Sequence, residues 1–320
     1  MDDSGHFVSA TRRHLVQVCI GDLSLRIAAD NSEDIALSPA LSAFRGDFRS
    51  PDIRMQIRWV EMLRQTEDSR LFDSGSIWRL YACDDGYCFD FTSETISRHP
   101  YKRLTVDPEF HDARLDMSAD FFASSGREAA PLEYPLDELL ITHRLTQEKA
   151  IQVHGCGIVR ADGIGNLFVG HSGAGKSTTT RLWTEREDVE VLSDDRIIVR
   201  RDEAQMQIPR GCATQDDNPK YKIRMYGTPW HGEAMYASPN SAPLARIFLL
   251  EHGQGNVLTP LSPSQAVAEL FARSFVPFHR HEYVESALTF LEELVEAVPV
   301  YHFAFEPDQR AVDTILNLHD

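Results

Sequence analysis

Gly170-His171-Ser172-Gly173-Ala174-Gly175-Lys176-Ser177 is the stretch whose reading decides this chain. It fits G-x-x-x-x-G-K-[ST] without a gap. Residues 166–169 before it form a short apolar run that reads as a strand, and residues 177–183 after it read as the first turns of a helix. In that context glycines let backbone N–H groups close around phosphate oxygens, and the helix N-terminus adds a favourable dipole. The run Gly170 to Ser177, continued by Thr178, is expected to bind a nucleoside triphosphate. Lys176 would reach the β- and γ-phosphates and Ser177 would bind Mg²⁺ through its hydroxyl, so ATP and Mg²⁺ are the expected cofactors. A chance match in a Gly/Ser turn is the alternative, and the flanking strand and helix signals weigh against it.

Composition narrows the field. The chain has 320 residues, enough for one large domain or two ordinary ones. A 42% hydrophobic share is globular, and no long apolar run predicts a membrane span. The acidic, polar N-terminus lacks the basic start and apolar core of a signal peptide, so a cytoplasmic location is expected. A net charge of −17 without a basic run argues against nucleic acid as a partner. The five cysteines do not suggest a disulfide framework. An Asp-Gly turn signal at 85–86 sets Cys83 opposite Cys88; a redox-sensitive crosslink is one reading, and two small residues in a reduced sheet is the favoured one.

Residues 1–125 alternate in polarity. Val16, Val18 and Ile20 share a face, as do Leu23, Leu25 and Ile27, then Ile53, Met55, Ile57 and Trp59. Further alternation covers residues 78–82, 87–91, 104–106 and 115–117. Period two with turns between predicts antiparallel strands with one wet face, an accessory β-rich domain. Residues 124–131 read as a loop, and a boundary near 126 opens a second domain, 126–320. That domain begins with a helix near 134–145. A hairpin from Ile151 then feeds the glycine loop. A strand at 189–192 ends in Ser193-Asp194-Asp195, and hairpin strands follow at 197–200 and 205–208. Residues 210–240 look loop-rich. A strand at 245–251, a capping box at Ser262-Pro-Ser-Gln265, a long amphipathic helix ending near Val298, a strand at 301–305 and a closing helix complete an α/β chain.

Phosphoryl transfer needs a cradled triphosphate, a held metal and a positioned acceptor oxygen. Asp194 and Asp195 follow an apolar strand, where one carboxylate could meet Mg²⁺ or its waters and the other take the proton of an attacking hydroxyl. Neighbours on a strand point to opposite faces, so equal roles are not expected. A polar turn is the bland reading of the pair. His154, before Gly155, fits either a structural role or a role beside the base. Lys220, Lys222 and Arg224 are read as loop cations that either neutralise phosphate or are simply solvated. Trp230 and His231 suit a pocket wall and a packed turn equally. His279-Arg-His281 lacks partner ligands at metal spacing and reads as surface.

Taken together, His154-Gly155, the glycine loop and Leu192-Ser-Asp-Asp-Arg196 resemble the catalytic domain of HPr kinase/phosphorylase, whose fold resembles the nucleotide-binding core of phosphoenolpyruvate carboxykinase. The resemblance covers roughly residues 150–250. It implies a mixed β-sheet P-loop core with flanking helices, in which Gly170 to Ser177 bind ATP. It further implies that Ser177 and the Asp194/Asp195 pair serve Mg²⁺, that one of the two carboxylates acts as base toward a serine hydroxyl, and that His154 supports it. The Ile-Arg-Gly-rich second signature of that family is not recognisable. Tyr226-Gly-Thr-Pro-Trp-His-Gly232 stands in its place and looks like a bacterial subfamily of such proteins. The expected activity is a serine-kinase-like transfer of the γ-phosphate to a peptide, protein or small-molecule hydroxyl. A carboxykinase-like enzyme and a nucleotide-gated binding protein are the alternatives. Relatives form hexamers, so the resemblance allows a homo-oligomer, although the sequence carries no oligomer signature.

Overall fold

The computed structural model describes residues 14–30, 35–84, 86–93, 96–186, 188–201 and 222–318. It is a mixed α/β protein whose chain divides into two compact units. Ile53–Glu133 is the bulk of the first, and the second is built mainly from Tyr134 onward, with Val18–Ser24 and Pro39–Asp52 grouped with it. The expected strand at 205–208 and the loop cation Lys220 lie outside the described residues.

Most of an eight-stranded sheet belongs to the first unit, in the order β1-β2-β3-β8-β7-β6-β5-β4. Its strands are β1 (His14–Ile20), β2 (Leu23–Ala29), β3 (Ile53–Val60), β4 (Arg70–Asp73), β5 (Trp78–Cys83), β6 (Gly86–Ser93), β7 (Ser97–Val106) and β8 (Asp112–Ser118). The short helix α1 (Pro39–Ser42) falls between β2 and β3, and α2 (Ala119–Ser125) follows β8. The purely antiparallel expectation is corrected here: β2 pairs with β3 in parallel, and β3 with β8 in parallel. Both pairs are joined by long connections, as parallel neighbours require. The single wet face is corrected too, because the six interior residues of β6, Tyr87 to Thr92, are all buried. Helix α2 takes residues expected to open a loop: Ser118 Oγ accepts the Phe121 N–H at its start, and Gly126 closes it with φ 64°.

The favoured reading of Cys83 and Cys88 is also corrected. They form a disulfide across β5 and β6, with Cα atoms 6.1 Å apart. The register pairs Cys83 with Gly86 and Tyr81 with Cys88, so the two cysteines are diagonal rather than directly opposed.

The second unit is built on a sheet that curls into a ring. Its strands are β9 (Ala150–Val159), β10 (Gly165–Val169), β11 (Glu190–Ser193), β12 (Arg196–Arg201), β13 (Ile223–Tyr226), β14 (Ser241–His252), β15 (Val257–Pro260), β16 (Ser274–Phe275) and β17 (Val300–Phe305). The path β10-β9-β12-β13-β14 closes because β14 also pairs with β10, in parallel. The long β9 divides its partners: residues 150–154 pair with β12 and residues 155–159 with β10. The switch falls at His154/Gly155, where a Cβ at 155 would lie 2.9 Å from the Phe168 carbonyl. Helices α3 (Leu136–Leu145), α4 (Lys176–Arg186), α5 (Pro263–Phe271), α6 (His281–Ala297) and α7 (Gln309–Leu316) flank the sheet. Alternation sorts the core. Leu167 and Val169 join α5 and α6 residues in one cluster, while Phe168 joins Trp183 of α4 and Val312 of α7 in another. Burying both faces of β10 accounts for its apolar run Leu167-Phe168-Val169.

His279 departs from the surface reading. Its ring lies 5.3 Å from those of buried His143 and Tyr283, whereas His281 is 80% exposed. Burial pushes the His143 imidazole down to about 3 and the His279 imidazole down to about 4. The folded state therefore binds fewer protons than the unfolded chain between roughly pH 6.5 and these values, and stability falls as pH drops through that window. Urea unfolding at pH 7 and pH 5 is expected to show a loss that shrinks by about 1–2 kcal/mol in His143→Asn. An unchanged pH dependence in the variant would contradict the assignment.

Candidate functional site

The glycine loop joins β10 to α4, and its glycines are required where the backbone is unusual. Gly173 has φ 81° and Gly175 φ 103°. A Cβ on Gly175 would also lie 2.6 Å from Phe305 Cζ, and one on Gly170 would lie 2.7 Å from Ala174 Cβ. His171, Ser172 and Gly173 are exposed at the turn, Ala174 and Gly175 half-buried. His252 Nε2 lies 2.8 Å from the Gly173 carbonyl and stacks on Phe305, bracing the loop from β14. Ser177 is exposed in the first turn of α4, Thr178 half-buried. Lys176 is 7% exposed, and its ammonium donates to the carbonyls of Gly170 (2.9 Å) and His171 (3.1 Å). Burial lowers its pKa, opposed by the negative charge of Asp195 above all.

Three motifs meet at His154–Gly155. The Gly170 N–H donates to the His154 carbonyl at 3.4 Å, and the Gly155 N–H donates to the Asp195 carbonyl at 3.1 Å. This one dipeptide of β9 bridges the start of the glycine loop and the end of β11. The side chains continue the junction, with His154 Nε2 2.8 Å from Asp195 Oδ1.

The two aspartates are not strand neighbours: they form the bend between β11 and β12, and their side chains meet different partners. Asp194 is 3% exposed, and its oxygens accept backbone N–H groups of the following loop, Gly232 on Oδ1 and Ala234 on Oδ2, both at 2.9 Å. A Cβ at position 232 would sit 2.8 Å from Asp194 Oδ2, so the grip needs glycine. Asp195 is more open, its side chain 26% exposed. Burial pushes its carboxyl up, but the His154 hydrogen bond and the charges of Arg196, His154 and Lys176 outweigh that and hold it below its ordinary range. Asp194→Asn leaves at most one acceptor for two donors. The expected cost is about 2–3 kcal/mol of stability, from loss of a hydrogen bond to a charged group. Thermal unfolding checks it; an unshifted midpoint would contradict the clamp.

Three polar residues that sequence reasoning did not single out complete the site. Arg196 Nη1 contacts Asp195 Oδ2, and its Nε donates to Glu138 Oε1 at 2.9 Å. Gln152 Nε2 also donates to Glu138. Arg196 lies over the Phe275 ring, 4.2 Å from its centroid. Burial raises the Glu138 carboxyl, against the pull of Arg196. Arg196 adjoins the Asp pair in sequence, a signal that was available; Glu138 sits in α3 with nothing in its local pattern to mark it.

Other expected contributors are not brought to the site as loop cations. Arg224 lies in β13, 4% exposed, where its Nη1 donates to Ser241 Oγ at 3.3 Å, and Lys222 is exposed just before that strand. Trp230 is buried and His231 half-buried, and the Trp230 carbonyl accepts from Ser193 Oγ at 3.3 Å, so this segment is a packed turn holding the Asp194 clamp. Among the described residues no group of three or more His, Cys, Asp and Glu could hold a metal by itself, and no helix is long and apolar enough to cross a membrane. Comparison of the sequence with protein-family models and with curated proteins returned no match.

Proposed function

We propose that the chain is an ATP- and Mg²⁺-dependent kinase that transfers the γ-phosphate to a hydroxyl, that of serine in a peptide or protein or of a small molecule. The observation that supports this reading most is the junction at His154–Gly155, which ties a glycine loop opening a helix to a carboxylate–histidine pair. The residues suit the nucleotide. The exposed loop turn precedes a helix N-terminus, a favourable place for an anion. Lys176 already holds its ammonium against the loop carbonyls, from which it can shift to a phosphate. They also suit the metal, since the Ser177 hydroxyl and an aspartate are hard oxygen donors and Mg²⁺ draws its other ligands from phosphates and water. Bound there, Mg²⁺ would supply charge neutralisation on the phosphates.

In the proposed step the acceptor oxygen attacks the γ-phosphorus while its proton passes to Asp195. The bond from the γ-phosphorus to the β–γ bridging oxygen breaks, and ADP leaves with that electron pair. His154 orients the Asp195 carboxylate from Oδ1, and Lys176 offsets charge on the transferring group. Asp194, gripped by loop amides, orders the turn beside the base. Incubation with γ-labelled ATP and pooled serine-containing peptides tests the reading. Label should move to peptide with the wild type and not with Asp195→Asn. Equal labelling by both would exclude it, and ATP binding without hydrolysis or transfer would favour a nucleotide-gated binding protein.

A further inference from the structure

We propose that Glu138 and Arg196 are positioning residues for the base, together fixing the Asp195 carboxylate so that its Oδ1 stays on His154. The inference rests on the kinase reading above. A single polar chain carries it: Thr142 Oγ1 donates to Gln152 Oε1 at 2.9 Å, Gln152 Nε2 donates to Glu138 Oε1, and Arg196 Nε donates to that same oxygen. Arg196 Nη1 then holds Asp195 Oδ2, opposite the His154 contact on Oδ1. Helix α3 and strands β9 and β12 each contribute, so the last carboxylate in the chain is oriented from three elements.

Stability alone is a poor reason for this arrangement. Glu138 is 8% exposed, and a buried ion pair roughly breaks even against well-packed apolar residues once desolvation is counted. What the pair supplies is direction. A guanidinium is a planar fork, and with one face on Phe275 and Nε committed to Glu138 its Nη1 has a single bearing, toward Asp195. A lysine ammonium at 196 would keep the charge and lose the bearing.

The test is turnover of Mg-ATP by the full chain, with water or pooled serine-containing peptides as acceptor. The variants are Glu138→Gln, Arg196→Lys, Arg196→Ala and the double Glu138→Gln/Arg196→Lys, with Asp195→Asn as reference. A misplacement of about 1 Å costs up to 100-fold, so each single change should lower kcat about 10- to 100-fold while KM for ATP stays within about twofold. The double variant should be no slower than the slower single, because both remove one function. Millimolar guanidinium should restore part of the Arg196→Ala rate and none of the Asp195→Asn rate. Wild-type kcat in Glu138→Gln or Arg196→Lys, fully additive losses, or failure of guanidinium to rescue would overturn the inference alone. No turnover by the wild type, or wild-type turnover by Asp195→Asn, would sink the kinase reading and this inference with it.

Discussion

Replacing Lys176 with alanine is expected to lower phosphoryl transfer from ATP by about 100- to 1000-fold, the cost of removing one preorganised group that stabilises developing charge. On the proposed kinase reading the side chain would serve two roles. Its ammonium donates to the carbonyls of Gly170 and His171, holding the loop in shape. With nucleotide it would leave those carbonyls for the transferring phosphate. The loss should therefore appear in kcat and in ATP affinity together. Lys176→Arg should not rescue it, because a planar guanidinium fork does not reproduce the compact ammonium that the buried lysine places against the two loop carbonyls. Steady-state kinetics with titration of ATP binding would check this, and an alanine variant with wild-type kcat/KM would contradict it.

Asp195→Asn is expected to reduce kcat by about 100- to 10,000-fold, the contribution of a positioned general base, while ATP affinity barely changes. An amide cannot take the acceptor's proton, yet it still fills the space between His154 and Arg196. The comparison with Asp194→Asn is informative, because the clamp on Gly232 and Ala234 makes that change one of stability first. Two adjacent aspartates should thus fail differently, one by turnover at normal melting temperature and the other by melting temperature.

How much of the fold and the site is legible in the sequence depends on the range of the interactions involved. The strand–loop–helix unit at 166–186, the β9–β10 hairpin, the end of β11 and the capping box at Ser262 rest on near neighbours, and each forms where the residues place it. Strand direction in the first sheet does not. Alternation gives a strand its buried face but says nothing about which distant strand lies beside it, so β2–β3 and β3–β8 are parallel without a local sign. Arg224 looked like a loop cation because the segment around it is rich in turn residues, whereas pairing with β12 and β14 makes it a buried strand residue. The division of labour between Asp194 and Asp195 turns on amides nearly forty residues away. Glu138 is legible only once α3 is seen to carry it to Arg196.

The most direct measurement is a crystal structure of the full chain with Mg²⁺ and a non-hydrolysable ATP analogue. The account predicts the triphosphate over residues 170–177, its γ-phosphorus facing the Asp195–His154 pair and Lys176 Nζ moved onto a phosphate oxygen. A nucleotide bound elsewhere, or bound at the loop with its terminal phosphate turned away from Asp195, would contradict it.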